Sequence, residues 1–321
     1  METKKPIAAQ GGADDRTFWA WDQYWRDGRL ASCGGEGGAA YQAAITEGWR
    51  EFFRTLPDGS RILDVCTGNG AVARVAEETA RERGIRFEIE AFDGAVITQS
   101  GSGSMIHFRS RVRAEALPYP DESFDVVVGQ YGLEYTDLER SLPELARVSA
   151  PGCRVRFMTH AREGVVVEQA RRQLEDARQL LDGPLFPAAR LVVDACADGA
   201  SEDGLRSVTC GYNDAVRQME EASKHSIEPA MYSNACCVLT HALSIQRQAG
   251  SRAVMDKIDD VEASVRAHAE RLNAMMRAAL DETSAQALCE RIVKLWGHET
   301  AMSAGRREDG DLLGWIIESG A

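Results

Sequence analysis

The stretch 61–72, "RILDVCTGNGAV", sets the fold because a short apolar run leads directly into two closely spaced glycines. The run 61–66 has the composition of a strand buried in a parallel sheet. Gly68 and Gly70 lack side chains where the backbone turns, so a ligand can approach the backbone there. The segment 71–83 predicts a helix that begins just after these glycines. Backbone N–H groups at such a helix start point at a bound ligand, which indicates a nucleotide-type site.

Asp64 argues against one enzymatic interpretation of this turn, an NAD(P)-dependent oxidoreductase. A carboxylate here repels a pyrophosphate but attracts a cation. The stretch "CTGNGA" (66–71) also fits the dinucleotide pattern G-x-G-x-x-G only with Cys66 at the first glycine and Ala71 at the third. An NAD(P)-dependent oxidoreductase is therefore the weaker enzymatic interpretation. A catalytically silent partner subunit that retains the fold is a third interpretation, from another class of protein.

Composition and charge narrow the class of protein and of partner. The 321 residues are 44% hydrophobic and 27% charged, as in ordinary soluble domains. No stretch reaches the roughly 18 apolar residues needed to span a bilayer. Residues 1–15 lack an apolar core of signal-peptide length, so we expect a cytoplasmic protein. The eight cysteines form no C-x-x-C pair, which predicts reduced thiols and no metal site. A net charge of −13 argues against a nucleic-acid partner and favours a small-molecule or peptide substrate.

Residues 61–160 alternate between predicted strands and helices. Strands are predicted over 61–66, 86–92, 105–112, 124–130 and 153–159, and helices over 71–83, 137–149 and, weakly, 95–100. Continuous apolar strands such as "FDVVVG" (124–129) indicate a parallel sheet covered on both faces. We therefore predict an α/β fold with a doubly wound, mostly parallel sheet.

The chain divides into four predicted segments around this sheet. Residues 1–56 hold an aromatic stretch and a helix, 57–161 the α/β core, 162–310 a largely helical region, and 311–321 a closing strand. The helical region shows a 3.6-residue periodicity and is interpreted as a cap on the acceptor side and a dimer contact. The apolar face of its segment 251–280 packs either on its own chain or across a homodimer seam.

Four motifs in order over residues 60–160 resemble the class I S-adenosylmethionine-dependent methyltransferases. The stretch "LDVCTGNG" (63–70) resembles the family's first motif, and "AFDGA" (91–95) the acidic end of its second strand. The stretches "AEALPYPDESFDVVV" (114–128) and "DLERSLPELARVSAPGCRVRF" (137–157) resemble the segments that lead to the fifth strand. The resemblance implies a Rossmann-like fold with S-adenosyl-L-methionine as cofactor. It also implies transfer of a methyl group to oxygen or nitrogen of a small-molecule or peptide acceptor.

The resemblance further implies which residues contact the cofactor. They are Asp64, Thr67, Gly68 and Gly70 around the methionine part, Asp93 and Gly94 at the ribose, Ala114 and Glu115 beside adenine, and Gln130 on the sulfonium side. The cofactor carries a sulfonium and an α-ammonium group, which explains a carboxylate at the turn.

Two positions depart from the family pattern. The family commonly has glycine where Cys66 stands, so the turn is built around a small thiol. An aspartate that binds the adenine amino group is usual where this chain has Arg113. Either Glu115 takes over that role, or backbone and packing alone hold the adenine.

The N-terminal stretch "RTFWAWDQYWRDGRL" (16–30) concentrates five aromatic residues. One interpretation is a hydrophobic helix that seals an edge of the sheet. The other, which related enzymes suggest, is a lid over the donor. In that case Tyr24 or Trp25 would contact the methionine end of the cofactor.

Candidate catalytic residues follow the fourth and fifth predicted strands, because open α/β sheets bind ligands at strand carboxyl ends. They are Tyr131, Glu134 and His160. His160 is the best general-base candidate because histidine titrates near neutrality. Alternatively, His160 is a structural histidine, Glu134 caps the following helix and Tyr131 only lines the pocket.

Overall fold

A seven-stranded sheet organises the computed structural model, which describes residues 13–26, 28, 38–98 and 104–319. The remaining parts of the predicted N-terminal segment and the last two residues of the predicted closing strand lie outside these ranges. The strands are β1 (Arg61–Val65), β2 (Glu88–Asp93), β3 (Ile106–Ser110), β4 (Phe124–Gln130), β5 (Ser149–His160), β6 (Thr300–Arg306) and β7 (Leu312–Ser319). The helices are α1 (Ala13–Arg26), α2 (Gly38–Arg54), α3 (Ala71–Arg83), α4 (Leu138–Val148), α5 (Val165–Asp182), α6 (Leu185–Ala197), α7 (Glu202–Ser223), α8 (Pro229–Ser244), α9 (Gln246–Ala249), α10 (Ser251–Ala278) and α11 (Glu282–Trp296). A 3₁₀ turn, Leu133–Tyr135, precedes α4.

The strand order is β3-β2-β1-β4-β5-β7-β6, and β1 to β5 pair in parallel. The strand β7 pairs antiparallel with both β5 and β6. The direction of winding reverses between β1 and β4, so the carboxyl ends of these strands form the crevice in which ligands bind to open α/β sheets. This topology confirms the predicted α/β fold and its doubly wound, mostly parallel sheet.

Alternating side chains of β1 place one hydrophobic core on each face of the sheet. Ile62 packs with α2 and α3, whereas Leu63 and Val65 pack with α4 and α11. Each of these three side chains is fully buried. The continuous apolar run therefore reflects a strand covered on both faces.

Three local structures differ from the sequence prediction. Residues 95–98 form no helix, because Asp22 of α1 and Asn69 accept the backbone N–H groups of Val96 and Thr98. The strand β3 ends at Ser110, since Arg111 has a left-handed backbone with φ of +62°. The strand β5 begins four residues earlier than predicted, at Ser149, with an irregular register near its start.

The predicted helical region 162–310 contains two parts with different neighbours. Its helices α5 to α10, here called the helical insert, enclose a hydrophobic core of their own. By contrast, α11 packs on the sheet, and β6 is a sheet strand that the sequence did not predict. The apolar face of α10, including Val254, Ile258 and Leu272, is buried in the core of the insert. This face therefore packs on its own chain.

The close approach of β7 to β5 yields a test of the sheet's closing edge. A Cβ atom at Gly314 would lie 2.4 Å from the carbonyl oxygen of Thr159, whereas one at Gly211, exposed on α7, meets nothing within 4 Å. We expect Gly314→Ala to cost about 1–3 kcal/mol and lower the thermal midpoint, because the strands must separate. Gly211→Ala should raise the midpoint slightly, since alanine favours the helix by about 0.5–1 kcal/mol. Calorimetry that gives both variants the same sign of change would contradict this account.

Candidate active site

The turn between β1 and α3 depends on two glycines with a left-handed backbone. Gly68 has φ of +55° and Gly70 has φ of +87°, a region that other residues rarely adopt. A Cβ atom at Gly70 would also lie 2.5 Å from the ring of Phe108. Gly70 donates its N–H to the carbonyl of Thr67 at 3.0 Å and immediately precedes α3. The backbone itself therefore forms the surface of this turn.

Cys66, where the resembling family commonly has glycine, fits because of a second glycine across the turn. Its backbone is also left-handed, with φ of +54°. A Cβ atom at Gly132 would lie only 2.4 Å from the Cβ of Cys66. Burial, with Asp93 and Glu134 nearby, raises the pKa of the Cys66 thiol, so the thiol stays neutral.

Asp64 fastens the turn to α3 and keeps one oxygen for another donor. Its side chain is 1% exposed and accepts hydrogen bonds from the Thr67 hydroxyl at 2.5 Å and the Ala73 N–H at 3.1 Å. Both donors reach Oδ2, and no group in the described part of the chain donates to the buried Oδ1. Burial raises the pKa of Asp64 to about 7 against these hydrogen bonds. A buried acceptor of this kind fits a ligand that brings a donor or a positive charge.

Asp93 joins the end of β2 to the turn between β1 and α3, here called the glycine turn (residues 66–70). Its Oδ2 accepts the Gly68 N–H at 2.9 Å, and its Oδ1 accepts the Ala95 N–H at 2.8 Å. Burial raises the pKa of Asp93 to about 6, although both hydrogen bonds favour the charged form. Asp64 and Asp93, which belong to two separate sequence motifs, thus lie at one turn. Each carboxylate oxygen retains a second lone pair, so Asp93 can still accept from ribose hydroxyls.

The aromatic side chains of α1 lie directly against this turn. A Cβ atom at Gly68 would lie 2.4 Å from the Trp25 ring, and one at Gly94 would lie 2.2 Å from the Phe18 ring. The carbonyl of Trp25 accepts the side-chain amide of Asn69 at 3.0 Å. Tyr24 packs edge-on against Trp25 at 4.9 Å between ring centroids. Phe18 and Asn69 were not selected from the sequence, although Phe18 belongs to the aromatic stretch that indicated a lid.

The two residues predicted beside adenine have different surroundings. Ala114 is buried in the core between the sheet and α4. Glu115 accepts the Asp137 N–H at 2.9 Å and lies 3.4 Å from the Arg113 guanidinium. Burial acts to raise the pKa of Glu115, but these partners outweigh it and lower the pKa. The Arg113 guanidinium also covers the Phe18 ring at 5.6 Å, which links this end of the site to α1.

The three catalytic candidates lie together at the ends of β4 and β5. His160 is fully buried, and its Nδ1 lies 2.7 Å from Glu134 Oε1. The same oxygen accepts the backbone N–H of His160 at 2.9 Å. The Tyr131 ring stacks on the imidazole at 4.2 Å between centroids. The contact between Nδ1 and the Glu134 carboxylate fixes the orientation of the imidazole ring.

The alternative role of Glu134 as a helix cap is wrong, because another residue occupies that position. The N-cap of α4 is Asp137, which accepts the Glu139 N–H at 3.1 Å. Glu134 Oε2 is buried, and no donor reaches it within the described residues. Glu134 instead orients His160.

Gln130, predicted on the sulfonium side, is held by a residue that sequence reasoning missed. The indole N–H of Trp49 on α2 donates to Gln130 Oε1 at 2.6 Å. Trp49 stacks on Phe53 and is 2% exposed. The helical spacing of these aromatic residues signals a buried face, but nothing in it identifies the amide partner. The bond fixes the orientation of the Gln130 side chain at the end of β4.

Neither a metal site nor a membrane-spanning helix is found among the described residues. Over the residues that it describes, no group of His, Cys, Asp or Glu side chains is arranged to hold a metal ion. Within the same ranges, no helix combines the length and apolar character needed to cross a bilayer. The cysteines for which the structure gives side chains are free thiols.

Part of the chain is similar to known methyltransferases. Residues 39–191 match the family model described as a methyltransferase domain. The chain is 32% identical over 124 residues to the ubiquinone/menaquinone biosynthesis C-methyltransferase UbiE of Xanthomonas oryzae pv. oryzae, covering 36% of this chain and 49% of that protein. It is also 32% identical over 114 residues to UbiE of Rickettsia akari, covering 32% of this chain and 46% of the relative. The chain thus spans about half the length of these curated relatives.

Among solved structures, the chain is similar to an S-adenosylmethionine-dependent methyltransferase from Mesorhizobium loti. The two are 23% identical, with a TM-score of 0.30, over 37% of this chain and 55% of that chain. A TM-score this low supports no conclusion about the fold. The fold is established by the sheet topology of the chain itself. Over the matched part of the chain, the family match and the relatives confirm the resemblance to class I S-adenosylmethionine-dependent methyltransferases that the sequence motifs indicated.

The raised pKa of Asp64 predicts how stability changes with pH in the absence of cofactor. The folded protein holds this proton up to about pH 7, whereas the unfolded chain releases it near the ordinary value of 3.8. The stabilising contribution is therefore greatest below pH 4 and is lost as pH rises through 7. Asp64→Asn removes this titration. The difference in thermal midpoint, variant minus wild type, should therefore be more positive at pH 8 than at pH 5.

The control is Glu82→Gln, an exposed acid at the far end of α3. Its difference from wild type should be the same at both pH values. An equal difference at pH 5 and pH 8 for Asp64→Asn would contradict the raised pKa.

Proposed function

We propose that this chain, which carries a class I S-adenosylmethionine-dependent methyltransferase domain, transfers the methyl group of S-adenosylmethionine to a small-molecule or peptide acceptor. The observation that carries the proposal is the hydrogen bond from Gly68 N–H to Asp93 in a turn that also buries Asp64. Two carboxylates beside a backbone of glycines suit a ligand that combines ribose hydroxyls with positive charge. A pyrophosphate-containing dinucleotide would be repelled there.

The residues that would hold the cofactor have separate tasks. Asp93 would accept hydrogen bonds from the ribose, and Gly68 and Gly70 would let the methionine part approach the backbone. The buried Oδ1 of Asp64 would favour the positive charge, because attraction is stronger in a medium of low polarity. When bound, S-adenosylmethionine would supply a methyl group on a sulfonium, whose sulfur would leave as a neutral thioether. The protein's contribution is then mainly alignment and exclusion of water.

His160 is the proposed general base for the acceptor. Glu134 fixes the imidazole through Nδ1 at 2.7 Å and thereby leaves Nε2 as the basic nitrogen. Tyr135 lies edge-on to His160 at 5.8 Å and also contacts Trp21 of α1 at 5.9 Å. The imidazole thus lies one aromatic layer beneath α1. Movement of α1 would open both the cofactor turn and the path to this base.

The acceptor atom belongs to the proposal as well. The resemblance in sequence implies oxygen or nitrogen, whereas the UbiE relatives are named as C-methyltransferases, which supports carbon. A hydroxyl group and an activated carbon both arrive protonated at neutral pH. A positioned base raises the rate of attack in either case. The buried dyad of His160 and Glu134 therefore favours an acceptor that must lose a proton.

Asp93→Ala tests cofactor binding. We expect it to weaken binding of S-adenosylmethionine at least tenfold, because a hydrogen bond to a charged group contributes about 1.5–3 kcal/mol. Isothermal titration of wild type and variant measures the change. The matched control is Glu88→Ala at the opposite end of the same strand, which should bind normally. Normal affinity in folded Asp93→Ala would contradict the proposed ribose contact.

His160→Gln tests the base. Glutamine can still donate to Glu134 but takes up no proton at neutral pH, so methyl transfer should fall about 10²–10⁴-fold. Affinity for S-adenosylmethionine should stay within threefold, which also shows that the variant is folded. Methyl transfer is measured with labelled S-adenosylmethionine as the donor and the low-molecular-weight fraction of a cell extract as the source of acceptors. Unchanged transfer by His160→Gln would exclude this residue as the base.

A further inference from the structure

Arg271, on α10 of the helical insert, makes several contacts with α1. Its side chain is buried, and the guanidinium carbon lies 4.3 Å from the centre of the Tyr24 ring. It lies 5.9 Å from the centre of the Trp21 ring. Its Nη1 donates to the backbone carbonyl of Ala20 at 3.4 Å. A single side chain of the insert thus binds both the aromatic face and the backbone of α1.

The insert holds Arg271 in this orientation from behind. His268, one turn earlier on α10, places Nδ1 3.0 Å from the Arg271 Nη2. The Nε2 of His268 lies 3.3 Å from Glu228 Oε2, at the start of α8. The guanidinium is therefore held by His268 of α10 on one side and by α1 on the other. This arrangement limits the rotamers open to a long side chain.

The opposite side of α1 covers the glycine turn. The rings of Trp25 and Phe18 lie against Gly68 and Gly94, so α1 occupies the surface that a cofactor would use. On the same side of α1, Asp22 accepts a hydrogen bond from the Val96 N–H at 2.7 Å. The helix α1 thus packs between the glycine turn and the helical insert. A ligand that contacts Gly68 and Gly94 would therefore have to displace the Trp25 and Phe18 rings.

We propose that Arg271 is a positioning residue that fastens α1 over the cofactor turn, so that the helical insert controls entry of the cofactor. This inference rests on the proposed function, because it takes S-adenosylmethionine as the entering ligand. Closed α1 and bound cofactor compete for the same surface. Any loss of the Arg271 contact therefore increases the fraction of molecules that can bind.

Arg271→Met removes the charge but keeps most of the volume, and Arg271→Lys keeps a cation without the planar guanidinium. Arg277→Ala, an exposed position on the same helix, is the control. Stopped-flow fluorescence of the native tryptophans follows binding of S-adenosylmethionine. We expect association about thirtyfold faster in Arg271→Met, the change expected for one desolvated cation–π contact, and an intermediate rate in Arg271→Lys. Hydrogen exchange of α1 in cofactor-free protein should accelerate in the same order.

The outcomes separate this inference from the proposed function. Failure of wild type to bind S-adenosylmethionine would overturn the proposed function and the control of entry together. Normal binding by wild type, with association in Arg271→Met equal to that of Arg277→Ala, would overturn the role of Arg271 alone, whatever the exchange of α1. Slower association in Arg271→Met would also overturn it, because α1 would then assist entry. Faster association with faster exchange of α1 supports it.

Discussion

The hydrogen bond from the Gly68 N–H to the Asp93 carboxylate joins the carboxyl ends of β1 and β2, and the geometry of the site depends on it. The backbone at Gly68 is left-handed, with φ of +55°, a conformation that favours glycine at this position. Asp64 fixes the other end of the turn through Thr67 and the start of α3. Two acids and two glycines therefore act as one unit.

The helical insert extends this local geometry to the whole chain. It leaves the sheet after β5, forms its own hydrophobic core, and the chain then returns to the sheet through α11, β6 and β7. The antiparallel return of β7 places its backbone beside His160, and Tyr131 donates its hydroxyl to the Leu313 carbonyl at 3.0 Å. The insert is thus anchored at both ends next to the catalytic candidates. Its contact with α1 links it to the cofactor turn as well.

The sequence predicted the features that arise from local chemistry. The bounds of β4 and α3 agree with the prediction, since a continuous apolar run and a glycine N-cap mark their ends. The strand β6 was missed because it is an edge strand of small and polar residues in which only Gly305 is buried. The contact of Arg271 with α1 joins residues 251 positions apart. No periodicity or motif carries such a contact, because it arises from packing between distant segments.

Cys66 and Gly132 share a volume that holds one side chain, so the two positions are linked as a pair. Glycine at 66 would relieve the left-handed strain of a residue with φ of +54°, worth about 1–2 kcal/mol, but would leave a void beside Gly132. A side chain at 132 would fill that void only after the thiol had gone. The energies of the two replacements are therefore non-additive. Any redesign of this turn, or any relative that carries glycine at the first position, has to be interpreted for both residues at once.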